Sequence, residues 1–211
     1  MFGRISLIET ALVISVLLIS LVIHEFAHAW TALKLGDPTA KLAGRLTLNP
    51  IRHLDPVGSV ILPAAMILSG AGYFGYARPV PVNRFMLRGE DRGFALVALA
   101  GPASNVVLAT LAVLAIRLVN PNRAGGLAQF LFVFIQVNLF LAAFNLVPIP
   151  PLDGSRLLRV VLPSGGVQFL DRIEPYGFVI LLGLLFLLPN QFFKLVNAIQ
   201  SLLVVLIPGF G

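Results

Sequence analysis

The sequence predicts an all-α polytopic membrane protein, with about five to six transmembrane helices, a re-entrant segment and a small β-hairpin. Three observations carry the prediction. Of 211 residues, 58% are hydrophobic and only 11% charged, far from the composition of an average soluble domain. Mean hydropathy is +0.94. The apolar residues fall in charge-poor blocks near the ~20 residues that a helix needs to cross a bilayer, without the short alternating segments of a barrel.

Taken in order, the first block is Ser6–Leu33. It lacks a strong basic flank and a small-residue cleavage site, so it reads as a retained helix and not as a removable leader. Blocks at Gly93–Val119 and Gly126–Val147 follow, then two shorter ones, Pro175–Leu188 and Phe192–Ile207, which turn about Pro189 and Asn190. A further block, Val57–Gly72, is short, carries Pro63 in its middle and ends in Gly-rich sequence. That pattern suits a re-entrant element as well as a span.

Basic residues decide between those two readings. Lys34, Lys41, Arg45 and Arg52 precede the Val57–Gly72 block, and Arg78, Arg84, Arg88 and Arg92 follow it. Short loops rich in Lys and Arg stay cytoplasmic, so a re-entrant block keeps both sets on that side. Arg156, Arg159 and Arg172 then fall inside as well, leaving Arg4, Arg117, Arg123 and Lys194 outside or near the outer interface. The net charge of +6 is spread through loops and forms no dense run, which excludes nucleic acid as the partner. The lipid bilayer is the expected surrounding.

The first block ends in LVIHEFAHAW, Leu21–Trp30. His24 and His28 are four apart, hence on one helix face, where both imidazoles can grip one metal ion while Glu25 projects beside them. Polar groups at membrane depth need a partner or a purpose, and zinc supplies both. With no cysteine in the chain, thiolate ligation is excluded. Catalytic zinc commonly takes three protein ligands, and Asp153 is the only acidic residue between Ala124 and Leu170. It follows Pro148, Pro150 and Pro151, which stop the Gly126 helix at the cytoplasmic face. The histidines lie six and ten residues before Lys34 at that same face.

Together these stretches identify a resemblance. HEFAHAW, KLGDPTAKLAGRLTLNPIRHLDPVGSVILP, YARPVPVN, AGPASN and FNLVPIPPLDG, in this order, resemble the site-2 protease family of intramembrane zinc metalloproteases, in its small prokaryotic form. The resemblance implies one zinc ion held by His24, His28 and Asp153, with Glu25 as the catalytic residue. It also marks Asn105 and Asn145 as polar residues near the site. Its implied activity is hydrolysis of peptide bonds in or near transmembrane segments of membrane proteins, that is, regulated intramembrane proteolysis at a multi-pass cell-membrane protein whose active site faces the cytoplasmic side. Residues 1–211 then form one membrane-embedded domain, with no PDZ-like insert and no C-terminal regulatory domain.

For that chemistry Glu25 takes a proton from the attacking water and returns it to the leaving amine. An amide donor for the developing oxyanion is expected from Asn145 first, then Asn105, with His53 as an accessory candidate. Each has a plainer reading: Asn105 follows the small residues Gly101, Ala103 and Ser104, which suit close helix packing, and His53 suits a structural interfacial residue. Asn138, Gln129 and Gln136 read as interhelical hydrogen-bonding residues, and Asp55 as a turn residue. Residues Gly72–Asn83, proline-broken and alternating, are expected to form the hairpin beside the site and to pair with an unwound substrate strand. The alternative is a membrane metal carrier using the same His and Asp residues. No internal repeat of the kind such carriers show is present.

The topology is testable because the chain has no cysteine of its own. Single cysteines placed near Lys41 and Arg84 are expected to react with an impermeant thiol reagent from the same face, and opposite accessibility would overturn the re-entrant reading.

Overall fold

A computed structural model describes residues 7–56, 58, 78–118 and 125–207. Among the described residues the α-helices are α1 Leu7–Lys34, α2 Thr39–Leu42, α3 Asp91–Leu118, α4 Gly126–Asn145, α5 Asp153–Leu157, α6 Ser164–Ile173, α7 Gly177–Leu187 and α8 Pro189–Val205. Helices are what a bilayer permits, because each backbone N–H and C=O must be satisfied within its own segment.

Three of these helices are long and apolar enough to cross a membrane: α1 from Glu9, α3 and α4. The 28 residues of α1 extend roughly 42 Å at 1.5 Å per residue, more than the ~30 Å hydrocarbon core. Its last turns therefore reach the interface, where Trp30 is exposed and the Lys34 ammonium stands 5.4 Å from the indole centroid. Exposed Trp beside Lys marks a membrane–water boundary. On the same three helices Ile14, Leu99, Val107, Leu111 and Phe132 are exposed, forming the surface that lipid covers.

The expectation of five to six spans is not met among the described residues. The last two apolar blocks become α7, 11 residues, and α8, 17 residues, roughly 17 and 26 Å long. The helical stretch through α6 and α7 meets α8 at 104°, with Pro189 starting α8. Only by counting this bent pair as one span does a fourth arise. The Val57–Gly72 block, apart from Gly58, lies outside the described residues, as do residues 72–77 of the expected hairpin.

The described part of that hairpin, residues 78–83, forms no strand. Pro79 and Pro81 have no N–H to give a ladder. The N–H groups of Arg78, Val80 and Asn83 go instead to His53 O at 3.0 Å, Glu25 Oε2 at 3.2 Å and Asp37 Oδ2 at 2.7 Å. These donors are spent inside the protein.

Helix α3 lies between α1 and α4 and packs extensively on both. Ala109 and Ala112 of α3 and Ala142 and Ala143 of α4 are buried in the main core with Leu139, Val196 and Phe192. Small residues at these positions let the backbones approach, which supplies the dispersion contact that drives helix association in lipid. Smaller clusters fix the loops. Ala29, Ala40 and Val80 pack together with Leu46 and Val82, and Ala32, Leu87, Phe94 and Val97 form a neighbouring group.

Two polar devices complete the frame. Asp37 is fully buried, and beyond Asn83 its carboxylate accepts from the Thr39 N–H at 2.9 Å and the Thr39 hydroxyl, closing the turn after α1. Arg159, buried after α5, pairs with Asp171, with Glu174 at 3.5 Å and with Asp91 at 3.7 Å, tying α6 to the start of α3.

Leu139 is fully buried at the α3–α4–α8 contact. Leu139→Ala is expected to destabilise the protein by about 2–5 kcal/mol, read as a lowered unfolding midpoint in detergent.

Candidate metal centre

The site assembles where α1, α3 and α5 meet. His24 and His28 lie one turn apart on the buried face of α1, edge to face, with ring centroids 4.6 Å apart. They face Gly101 of α3, where a Cβ atom would lie 2.4 Å from His28 Nε2 and 2.5 Å from His24 Nε2. Only glycine fits there. Pro102 follows inside the helix and removes one backbone donor from α3.

Asp153 is delivered by a chain break. After α4 ends at Asn145, residues 146–152 turn through Val147 N–H to Phe144 O at 3.2 Å and Leu152 N–H to Ile149 O at 3.0 Å, with a cis Pro150–Pro151 peptide. Gly154 then lies against the backbone, since a Cβ there would sit 2.2 Å from Leu146 O. Asp153 Oδ1 faces Arg156 Nη1 at 3.4 Å, and the Arg156 guanidinium rests 5.1 Å from the Phe94 ring centroid. Asp153 Oδ2 faces both imidazoles, 3.2 Å from His24 Nε2 and 3.1 Å from His28 Nε2.

Hydrogen bonding behind the histidines settles which nitrogen carries the proton. Asn138 Nδ2 lies 2.8 Å from Phe134 O, and a carbonyl only accepts, so the Asn138 amide nitrogen must point there. Asn138 Oδ1 therefore accepts from Asn105 Nδ2 at 2.9 Å, which turns Asn105 Oδ1 to His24 Nδ1 at 2.6 Å. His24 must donate from Nδ1. His28 Nδ1 likewise donates to Val97 O at 2.7 Å.

In neutral imidazoles both Nε2 atoms are then bare acceptors, and they face each other at 2.9 Å with a carboxylate oxygen beside them. Three lone-pair atoms in van der Waals contact repel unless a cation sits among them. Bonds of ~2.0–2.1 Å to one tetrahedral zinc separate ligand atoms by roughly 3.3 Å, close to what is seen. The donor set fits a divalent metal, and the imidazole–amide and imidazole–carbonyl pairs are the support that metal-binding histidines use.

The other candidates are placed differently. Glu25 is half-buried and accepts the Val80 N–H at 3.2 Å. Asn105 is fully buried, with its oxygen on His24 and its nitrogen shared between Asn138 and Ser20 O at 3.5 Å, so its amide donors are engaged between helices. Asn145 donates to Leu141 O of its own helix at 2.9 Å. His53 is fully buried, and its Nε2 pairs with Thr47 O at 2.8 Å, away from the metal group. Asp55 accepts the Gly58 N–H at 2.8 Å, as a turn residue does.

Sequence reasoning missed three participants: the Gly101 backbone, the Val97 carbonyl, and Ser20, whose hydroxyl accepts from Asn138 Nδ2 at 2.9 Å. A serine one helical turn before His24 was the available signal. The Val97 carbonyl has none, because any residue supplies one.

Substituting Gly101 by valine should therefore abolish metal binding while leaving helix content intact. Asn105→Ala is expected to weaken zinc affinity on the order of 10- to 100-fold, measured by competition with a chelating dye, and unchanged affinity would show that Asn105 does not orient His24.

Comparison with known proteins agrees with this chemistry. Residues 120–188 match peptidase family M50. The chain is 42% identical over 180 residues, 82% of its length and 78% of the relative's, to a Bacillus subtilis (strain 168) protein named "Putative zinc metalloprotease YwhC". Rip2 of Mycolicibacterium smegmatis (strain ATCC 700084 / mc(2)155), which carries the same description, is 37% identical over 190 residues, 88% of this chain and 71% of the relative. MJ0611 of Methanocaldococcus jannaschii, similarly described, is 32% identical over 139 residues, 65% and 64% of the two chains. No solved structure matches. A helical membrane framework, a donor set fit for zinc and these relatives converge on one assignment: the chain belongs to peptidase family M50, the site-2 protease family, and is a zinc metalloprotease of the membrane.

Proposed function

We propose that the protein is an intramembrane endopeptidase, cutting peptide bonds in or near transmembrane segments of membrane proteins as a step of regulated intramembrane proteolysis. The observation that carries this reading is the convergence of two bare imidazole nitrogens and a carboxylate oxygen among helices whose outer faces are apolar. The site lies about 9–15 Å from Lys34 along α1, counting six to ten residues at 1.5 Å each. That depth is within reach of the end of a spanning segment. With its basic loops on the cytoplasmic side, the chain is a multi-pass protein whose site opens toward that side.

In this reading His24, His28 and Asp153 hold one zinc ion. Bound there, zinc polarises a peptide carbonyl and acidifies a water. Glu25, next to His24 on α1, takes the proton of the attacking water and passes it to the leaving amine. Asn105 and Asn138 hold His24 in the tautomer that presents Nε2, and the Val97 carbonyl does the same for His28. Arg156 engages Asp153 Oδ1 so that Oδ2 faces the imidazoles. Asn145 remains the candidate for the oxyanion, a role that requires its amide to leave the Leu141 carbonyl when substrate binds. A helical substrate must unwind before its carbonyls become accessible.

Purified protein in detergent should cleave membrane-spanning peptides, lose that activity to a zinc chelator, and regain it on zinc addition. Glu25→Gln is expected to lower kcat at least 100-fold with one zinc per chain retained. Full cleavage by that variant would sink the assignment of Glu25. Zinc loss without any effect on wild-type cleavage would sink the metal assignment as well.

A further inference from the structure

Arg45 lies in the loop after α2, and nothing in the HExxH pattern involves it. Yet it is 6% exposed, and the guanidinium is spent on backbone carbonyls of two separate segments. Nη1 donates to Arg52 O. Nη2 donates to Arg78 O and, at 3.3 Å, to Pro79 O. One side chain therefore fastens the turn at Pro50–Arg52 to the stretch that begins at Arg78.

The Pro79 carbonyl and the Val80 N–H belong to one peptide group. That bond is trans, since the cis peptide among the described residues is Pro150–Pro151, so its C=O and N–H point in opposite directions from one rigid plane. Arg45 holds the carbonyl end, and the amide end donates to Glu25 Oε2 at 3.2 Å. The plane cannot rotate without giving up one of the two. A cation at the carbonyl end also polarises the group, strengthening the N–H as a donor to the carboxylate.

The surroundings keep this peptide in place. Pro79 and Pro81 restrict the backbone on either side, Arg78 N–H is bonded to His53 O at 3.0 Å, and Asn83 N–H to Asp37 Oδ2 at 2.7 Å. The Val80 side chain is packed with Ala29 and Ala40, which fixes it against the turn of α1 that follows His28. Burial pulls the Arg45 pKa below its ordinary value, the Glu25 carboxylate opposes this, and Arg78 adds to it. Arginine remains charged across the working range.

We infer that Arg45 is a positioning residue for Glu25, acting through the Pro79–Val80 peptide to hold the carboxylate where it exchanges a proton with the attacking water. This rests on Glu25 being the proton carrier, and the experiment separates the two ideas. Arg45→Gln, Val80→Pro, Val80→Ala, the Arg45→Gln/Val80→Pro double variant and Glu25→Gln would be compared with wild type, in detergent, for zinc content and for kcat and KM on one membrane-spanning peptide.

The expected result is a fall in kcat on the order of 10- to 100-fold for Arg45→Gln and for Val80→Pro, with zinc retained and KM within about twofold. Val80→Ala, which keeps the N–H, should lose far less. The double variant should be no worse than the poorer single one, because both changes break the same relay. Multiplying losses in the double variant, or an Arg45→Gln enzyme with unchanged or raised kcat, would overturn the inference while a dead Glu25→Gln leaves the catalytic reading standing. An active Glu25→Gln would remove the reading beneath it. If Arg45→Gln fails to fold or to load zinc, the two Val80 variants decide, and equal kcat for proline and alanine would refute the relay.

Discussion

The architecture depends on three lone-pair atoms being forced together. His24 Nε2, His28 Nε2 and Asp153 Oδ2 come within about 3 Å of one another, an arrangement with no stability of its own unless a cation resides there. The protein holds it by spending other interactions around it. Asn105 and the Val97 carbonyl take the Nδ1 protons, Arg156 takes the second carboxylate oxygen, and bare backbone at Gly101 leaves the imidazoles room.

Polar residues inside an apolar bundle are costly unless satisfied, and here they are satisfied by one another. Ser20, Asn105 and Asn138 are fully buried and come from three different spanning helices, α1, α3 and α4. Their hydrogen bonds fix the register of the helices and the tautomer of His24 in a single network. Alanines alongside allow the backbones to approach closely enough for those bonds to form. Packing and metal chemistry are thus set by the same contacts.

The loops carry a second tier of order. Asp37, Arg45 and Arg159 are buried charges outside the spanning helices, and each is neutralised by backbone groups or by opposite charges. Asp37 and Arg45 both act on residues 78–83, bringing an extended, proline-rich stretch onto the carboxylate of Glu25. A segment expected to offer its edge to a substrate strand instead has the N–H groups of Arg78, Val80 and Asn83 engaged by the protein itself. Any pairing with substrate must use other groups, or follow a rearrangement.

Composition and motif spacing by themselves determined the membrane class, the helical character, the three long apolar helices to within two residues at their ends, and the grouping of His24, His28 and Asp153. These were legible because they depend on local rules: apolar length against bilayer thickness, the four-residue helix repeat, and proline's inability to continue a helix. Tertiary structure alone decided the rest. That the α6–α7 stretch meets α8 at 104° and that α7 and α8 are each too short to count as a span are properties of the folded chain, which hydropathy does not encode. The parts played by Gly101, the Val97 carbonyl, Asn105 and Arg45 rest on contacts between residues 34 to 81 positions apart. Such contacts have no signature in a one-dimensional pattern, because they arise only when separate segments are folded onto one another.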